Sequence, residues 1–309
     1  MRPFKVGLGM PDTDWIYDGR TPRWREMVEF AQLGEQAGFD SLWVQDHLLF
    51  KFPGLEPEGP WECFSMLAGL AAVTERVELA PLVACTSFRN PALTAKIADT
   101  IDEISGGRLI LGLGAGWHEP EYQAFGYPFD HRYSRFEEAI KIIHTLLRTG
   151  SVDFVGQYYT ARECELRPRG PRPNGPPILF GTTGEKMLRL AAAYGDQWNA
   201  YFSSTGNLAS GVPPLKERIH AACADVGRDP ATLELTITVL VDLSNGEAVI
   251  PASVGLDSAK PLRGTPEQIA EQLRAYADHG VRHIQIYVFP MTPVGIERLQ
   301  PVLELLDKS

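Results

Sequence analysis

Residues 90–116, NPALTAKIADTIDEISGGRLILGLGAG, hold the unit whose reading decides the fold. NPALTAKIADTIDEI follows a helical pattern, SGG stops it, and RLILGLG reads as an apolar strand running into small residues. The same alternation continues in both directions. Upstream, FKVGLGM reads as the opening strand. RWREMVEFAQLGEQAG then puts Met27, Phe30, Ala31, Gly34 and Ala37 on one helical face, with Gly38 placed to end the helix before the strand DSLWV. FSMLAGLAAVT and VELAPLV make a third unit. Downstream come PPILFG, EKMLRLAAAY, DQWNAY, LKERIHAACADVG, LELTITVLV, PEQIAEQLRAYADHG, VRHIQIYVF and the closing helix IERLQPVLELLDK.

Eight strands result, near Phe4, Ser41, Val77, Arg108, Pro177, Asp196, Leu233 and His283. Parallel strands need long crossovers, and helices supply them almost throughout. An open doubly wound sheet shares this local pattern, but eight units with a closing helix predict a single α/β domain over 1–309, a (β/α)8 TIM barrel. The repeat stretches after strand 4. Residues 117–176 read as an excursion over the barrel mouth, with YSRFEEAIKIIHTLLRTG as a helix and a hairpin from VDFVG to QYYTAR. Residues 245–261 lack periodicity and read as a mobile loop, with a lid role as a hypothesis.

Composition narrows the partners. A chain of 309 residues with 44% hydrophobic and 22% charged residues has ordinary globular proportions. Its net charge of −10 and pI of about 5.2 argue against a partner held by its phosphate backbone, so no nucleic acid is expected. Cys63, Cys85, Cys164 and Cys223 are scattered without CxxC spacing, which suggests reduced thiols in a cytoplasmic protein and no zinc site. The amino terminus carries no secretory pattern, and no apolar run nears the roughly 20 residues of a membrane span.

In a barrel, residues just past the strands line the functional face. SLWVQDHLLF runs an apolar strand into Gln45, Asp46 and His47. An imidazole there can hydrogen-bond an electron-rich ring or move a proton; otherwise Asp46 and His47 cap local backbone. Leu82, Val83 and Ala84 can wall an aromatic ring or serve as core. Arg89 beyond them can bind an anion or hold its loop by an ion pair. In GLGAGWHEPE, the small residues Gly112, Gly114, Ala115 and Gly116 let a planar ligand approach the backbone. That segment lacks the third glycine of a dinucleotide fingerprint, and no HExxH or cysteine set supports a metal. His131, Arg132 and Arg135 stand where they could face an acidic tail, or Arg135 could make a helix-start ion pair. Gly181, Thr182, Thr183 and Gly184 join a strand to a helix, where free amides and hydroxyls can meet phosphate oxygens; a ligand-free helix cap is the alternative.

In order and position, these segments resemble the bacterial luciferase-like monooxygenase superfamily, especially its coenzyme F420-dependent oxidoreductase branch. SLWVQDH, the stretch 90–126, RFEEAIKIIHTLL and PPILFGTTGEKMLRLAAAYGDQWN carry the likeness, which covers nearly the whole chain. The resemblance implies Asp46 and His47 beside a deazaflavin headgroup, and a bulge at Leu82–Val83, where relatives often have a non-prolyl cis peptide. It also implies a small turn at Gly114–Gly116 and a phosphate turn at Gly181–Gly184. Thr182 and Thr183 replace a common Gly-Ser pair. Trp117 stands where some sugar-phosphate dehydrogenases of the branch have a catalytic Glu, and that role does not pass to Glu119 or Glu121 by proximity. The implied activity is hydride transfer between F420 and a small organic substrate, with His47 handling the proton. An FMN-dependent monooxygenase and an inactive cofactor-binding barrel are the rivals. A homodimer is also implied.

Overall fold

The computed structural model describes residues 2–17, 19–244 and 260–308. Strands β1 (Lys5–Gly9), β2 (Ser41–Val44), β3 (Glu78–Pro81), β4 (Ala84–Cys85) and β5 (Leu111–Gly114) come first. A hairpin follows, β6 (Ser151–Val155) with β7 (Thr160–Glu165). The chain then returns to the main sheet with β8 (Ile178–Gly181), β9 (Gln197–Ala200), β10 (Glu234–Asp242) and β11 (Val281–Phe289). The main sheet is parallel and ordered β3-β2-β1-β11-β10-β9-β8-β5-β4. β3 and β4 are two parts of one strand, parted at Leu82–Val83, whose peptide bond is cis. Ring closure follows from that continuity. The Leu79 amide donates to Arg108 O at 3.0 Å, the Ile110 amide donates to Leu79 O at 2.9 Å, and Ala84 pairs with Leu113. The result is the eight-stranded barrel that the repeat predicts, with its strands at the expected places.

The helices bury the stripes that their sequences prescribe. Trp24–Ala37 turns Met27, Phe30, Ala31 and Gly34 inward, and Gly38 ends it at φ 95°. Pro91–Ser105 starts on Asn90, whose side-chain oxygen accepts from the Ala92 amide at 2.9 Å. Three of the four cysteines, Cys63, Cys85 and Cys223, are buried thiols.

The excursion divides into two parts. Glu119–Phe125 is a short helix beside the mouth, whereas Arg132–Thr149 packs on the barrel flank against Pro91–Ser105. The hairpin lies along that flank helix instead of over the mouth. Its tip is tied there by Glu138, whose carboxylate accepts from the amides of Gln157 (2.7 Å), Tyr158 (2.9 Å) and Tyr159 (3.0 Å). The loop expected at 245–261 lies outside the described residues except for Lys260 and Pro261. Among the described residues, no helix is long and apolar enough to cross a membrane.

Candidate active site

Three strand ends supply one side of the mouth. Val83, just past the cis bond, points its methyls at two glycines. A Cβ on Gly114 would stand 2.7 Å from Val83 Cγ2, and one on Gly181 would stand 2.8 Å from Cγ1. These glycines therefore admit a neighbouring side chain as well as any ligand. Gly116 adopts φ 71°, and a Cβ there would collide with the Tyr122 hydroxyl. The turn is pinned from behind: the Tyr122 hydroxyl donates to Ala115 O at 2.9 Å, and Arg132 Nη1 donates to Gly116 O at 2.7 Å.

Asp46 holds this side together. Arg89 grips its carboxylate with two bonds of 2.7 and 2.9 Å, and the Cys85 amide adds a third at 2.8 Å. The carboxylate is buried and saturated, so it braces β4 against β2. Of the two roles open to Arg89, the ion pair is the one observed.

His47 lies beside Asp46 with its ring partly open to the cavity. Its Nδ1 is 2.9 Å from Oε1 of the buried Glu121, whose Oε2 accepts from the Leu48 amide at 2.8 Å. A carboxylate can only accept, so Nδ1 carries the hydrogen and the neutral imidazole keeps its lone pair on Nε2. Phe50 and Trp117 pack on the ring at centroid distances of 4.4 and 5.6 Å. His118, one residue on, turns away from the cavity: Lys51 donates its amide to Nε2 at 3.0 Å, and burial holds this imidazole below its usual range despite Glu121.

The turn after β8 has its carbonyls tied back. Trp198 Nε1 donates to Thr182 O at 2.7 Å, and Arg218 Nη2 donates to Thr183 O at 2.6 Å. The helix Glu185–Tyr194 then begins at Gly184 with no side-chain cap, leaving its first-turn amides for another acceptor.

The opposite arc, from β2 through β11 to β9, is polar. Gln45 donates from its amide nitrogen to Asp12 Oδ2 at 2.9 Å and from Nε2 to Asp12 Oδ1 at 2.8 Å. Asn199 Nδ2 donates to Thr236 Oγ1 at 3.0 Å and to Gln285 Oε1 at 2.8 Å. Tyr201 and Tyr287 complete the wall, with ring centroids 6.4 Å apart. Burial raises the Asp12 carboxyl to about 6 and pushes the Tyr287 hydroxyl well above the usual phenol range.

Both arcs enclose a cavity of about 660 Å³. Its glycine shelf, apolar backing and uncapped helix start fit a flavin- or deazaflavin-type cofactor: a flat ring against Leu82–Val83 and a phosphate at Thr182–Thr183. Luciferase-like monooxygenase is the description of the family model that matches residues 5–254. The chain belongs to that family.

Among the luciferase-like relatives, the pyrimidine monooxygenase RutA of Enterobacter cloacae is 32% identical over 299 residues, covering 91% of this chain and 80% of its own. Monooxygenase RslO1 from Streptomyces bottropensis superposes with a TM-score of 0.81 at 21% identity, covering 99% of this chain and 100% of the other. An F420-dependent secondary alcohol dehydrogenase, solved with an F420-acetone adduct, gives 0.78 at 19% identity and 99% coverage of both chains. At these identities the two structures speak to the fold, which for this family member is the barrel, and its chemistry is oxidoreduction.

Nearly all the residues expected at the site meet at this cavity. Asp46, His47, Leu82 and Val83 line it, as do Gly114, Ala115, Gly116, Gly181, Thr182 and Thr183. Two do not. Ala84 follows Val83 along the strand and packs into the core, and Gly184 is the N-cap behind the turn. Of the three rim residues, Arg132 reaches the cavity, Arg135 pairs with Asp130 at 2.9 Å, and His131 packs on Tyr158. The sequence brings Glu121 forward only as a polar residue after the turn that does not inherit the catalytic-Glu role, and it does not single out Asn199, Tyr201 or Tyr287. For Tyr287 a signal existed: its hydroxyl-bearing ring sits near the carboxyl end of a largely apolar strand.

Proposed function

We propose that this chain is a flavin-dependent monooxygenase that uses reduced FMN and dioxygen on a small organic substrate. The likeness to proteins named monooxygenases, at 32% identity over 91% of the chain, carries this reading. The F420-linked neighbour shares only 19% identity, so its cofactor does not transfer with the fold. The chemistry differs accordingly: a reduced flavin activates dioxygen, whereas a deazaflavin is suited to hydride transfer.

In this reading Leu82 and Val83 back the ring, Gly114–Gly116 lie along its edge, and Thr182, Thr183 and the helix amides bind the tail phosphate. Asp46 keeps the shelf in place through Arg89. His47 is the proton-handling group, accepting or returning a proton at Nε2, and Glu121 is the positioning residue that fixes its tautomer. Aromatic packing by Phe50 and Trp117 keeps water from that face. The whole chain then acts as one catalytic domain, and light scattering at assay concentration tests for the homodimer. Parallel titrations with FMN and with F420 decide the cofactor. The proposal expects FMN to bind at least about tenfold more tightly and reduced FMN to support oxygen-dependent turnover. Tight F420 binding without FMN binding would overturn it and restore hydride transfer.

A further inference from the structure

We infer that the polar arc selects a neutral substrate that donates hydrogen bonds from N–H or O–H groups, because its two amide side chains present oxygen to the cavity. This rests on the proposed function only in placing the substrate on the arc opposite the Leu82–Val83 shelf.

Hydrogen-bond valence gives the polarity. A primary amide has two N–H donors and one carbonyl oxygen. Gln45 spends both hydrogens of Nε2, one on Asp12 Oδ1 at 2.8 Å and one on Thr13 Oγ1. The Thr13 hydroxyl donates onward to the same Asp12 oxygen at 3.2 Å. What Gln45 has left for the cavity is Oε1. Asn199 likewise spends both hydrogens of Nδ2, on Thr236 and Gln285, while its Oδ1 accepts one bond from Thr238 Oγ1 at 3.3 Å and keeps a second lone pair.

The Gln45 amide cannot turn over cheaply, because turning would aim its carbonyl at the Asp12 carboxylate. Asn199 turns only together with Gln285, whose Nε2 is buried without a partner, so Gln45 is the amide whose polarity is fixed. Behind Gln45 stands the Asp12 carboxylate, and the other side chains of this arc that line the cavity, Tyr201, Tyr287, Ser203 and Ser204, carry hydroxyls that serve as donor or acceptor. An anion therefore finds no cation on this arc, and a ligand with acceptors alone leaves the fixed Gln45 oxygen, and the Asn199 oxygen as oriented here, unmatched. Buried groups left without partners are the strongest basis for rejecting an analogue.

Matched probes test this. Uracil with 1,3-dimethyluracil, and succinimide with N-methylsuccinimide, share their ring shapes but differ in N–H donors. Titration calorimetry on the full chain, with FMN and without it, should show each N–H member binding at least about tenfold more tightly than its methylated partner. Gln45→Met and Asn199→Ala should each shrink that ratio to about threefold or less by weakening the N–H member alone. Asp12→Asn, which keeps Gln45 but lets its amide turn, should shrink it as well.

Equal binding within pairs, no binding by either N–H probe, or variants that weaken both members alike would overturn the inference. A chain that prefers F420 yet keeps the ratio would lose the proposed monooxygenase reading and leave this one standing.

Discussion

The two arcs of the barrel mouth solve opposite problems. Along β4, β5 and β8 the chain removes side chains: Gly114 and Gly181 leave room for Val83, and Gly112 faces the Pro81 carbonyl too closely for any Cβ. Along β9, β10 and β11 the interior is filled with Asn199, Thr236, Thr238, Gln285 and His283, all buried. Burial takes the His283 imidazole down to about 3, so it stays neutral, and the Ser41 hydroxyl lies 2.7 Å from its Nε2. One arc makes a shelf by subtraction and the other fixes dipoles by mutual hydrogen bonding. A ring held by shape and a substrate chosen by polarity need those two kinds of wall.

If the shelf arc depends on one ion pair, breaking that pair should have the largest effect. Arg89→Met leaves the Asp46 carboxylate buried with only the Cys85 amide, and denaturant unfolding should show a loss of about 3–5 kcal/mol. Adding Asp46→Asn should recover much of it, since the uncompensated charge is then gone. Full stability in Arg89→Met would mean that Asp46 is not what holds the shelf. At the border of the arcs, Glu121→Gln should lower turnover about 10- to 100-fold with cofactor affinity unchanged. A glutamine can offer His47 either its oxygen or its nitrogen, so the Nε2-lone-pair tautomer loses its fixed partner. Nitrogen-15 shifts of the His47 ring read the tautomer directly, and an unchanged pattern would refute the positioning role.

The polar arc carries a cost that depends on pH. Asp12 holds its proton more tightly in the folded chain, at about 6, than an ordinary aspartate near 3.8. The folded state therefore binds the extra proton between those values, and stability falls as pH rises through about 6. Asp12→Asn removes that loss. It should raise stability by about 3 kcal/mol at pH 8 and by well under about 1 kcal/mol near pH 4. A gain of the same size at both pH values would show that the charge is not the cause.

Local pattern made the shelf legible and hid the polar arc. Apolar strands ending in GLGAG or FGTTG show in a single window of sequence, because the glycines that make the shelf are themselves the signal. Gln45 acquires its orientation from Asp12, 33 residues away, Asn199 from Gln285, 86 away, and His47 its partner from Glu121, 74 away. Each looks like an ordinary polar residue until the barrel closes. Ala84 misled for a local reason: regular pairing resumes there, opposite Leu113, so it faces away from its neighbour Val83 and into the core, whereas the irregular Leu82–Val83 step lets both of those residues line the cavity.

The smallest effect is the finest test of the shelf. Gly114→Ala brings a methyl within 2.7 Å of Val83 Cγ2, and Val is stiff at χ1, so the clash cannot be relieved by a simple rotation. The expected loss is about 1–2 kcal/mol. Val83→Ala removes both methyls and leaves a gap of its own, so it too should destabilise. In the double variant the new methyl occupies part of the vacated space, and the combined loss should be less than the sum of the two by at least about 0.5 kcal/mol. Strict additivity would mean that Gly114 is a glycine for the ligand's sake alone. A positive coupling would mean that the shelf is first a socket for Val83, with the flat ring resting on what the socket holds.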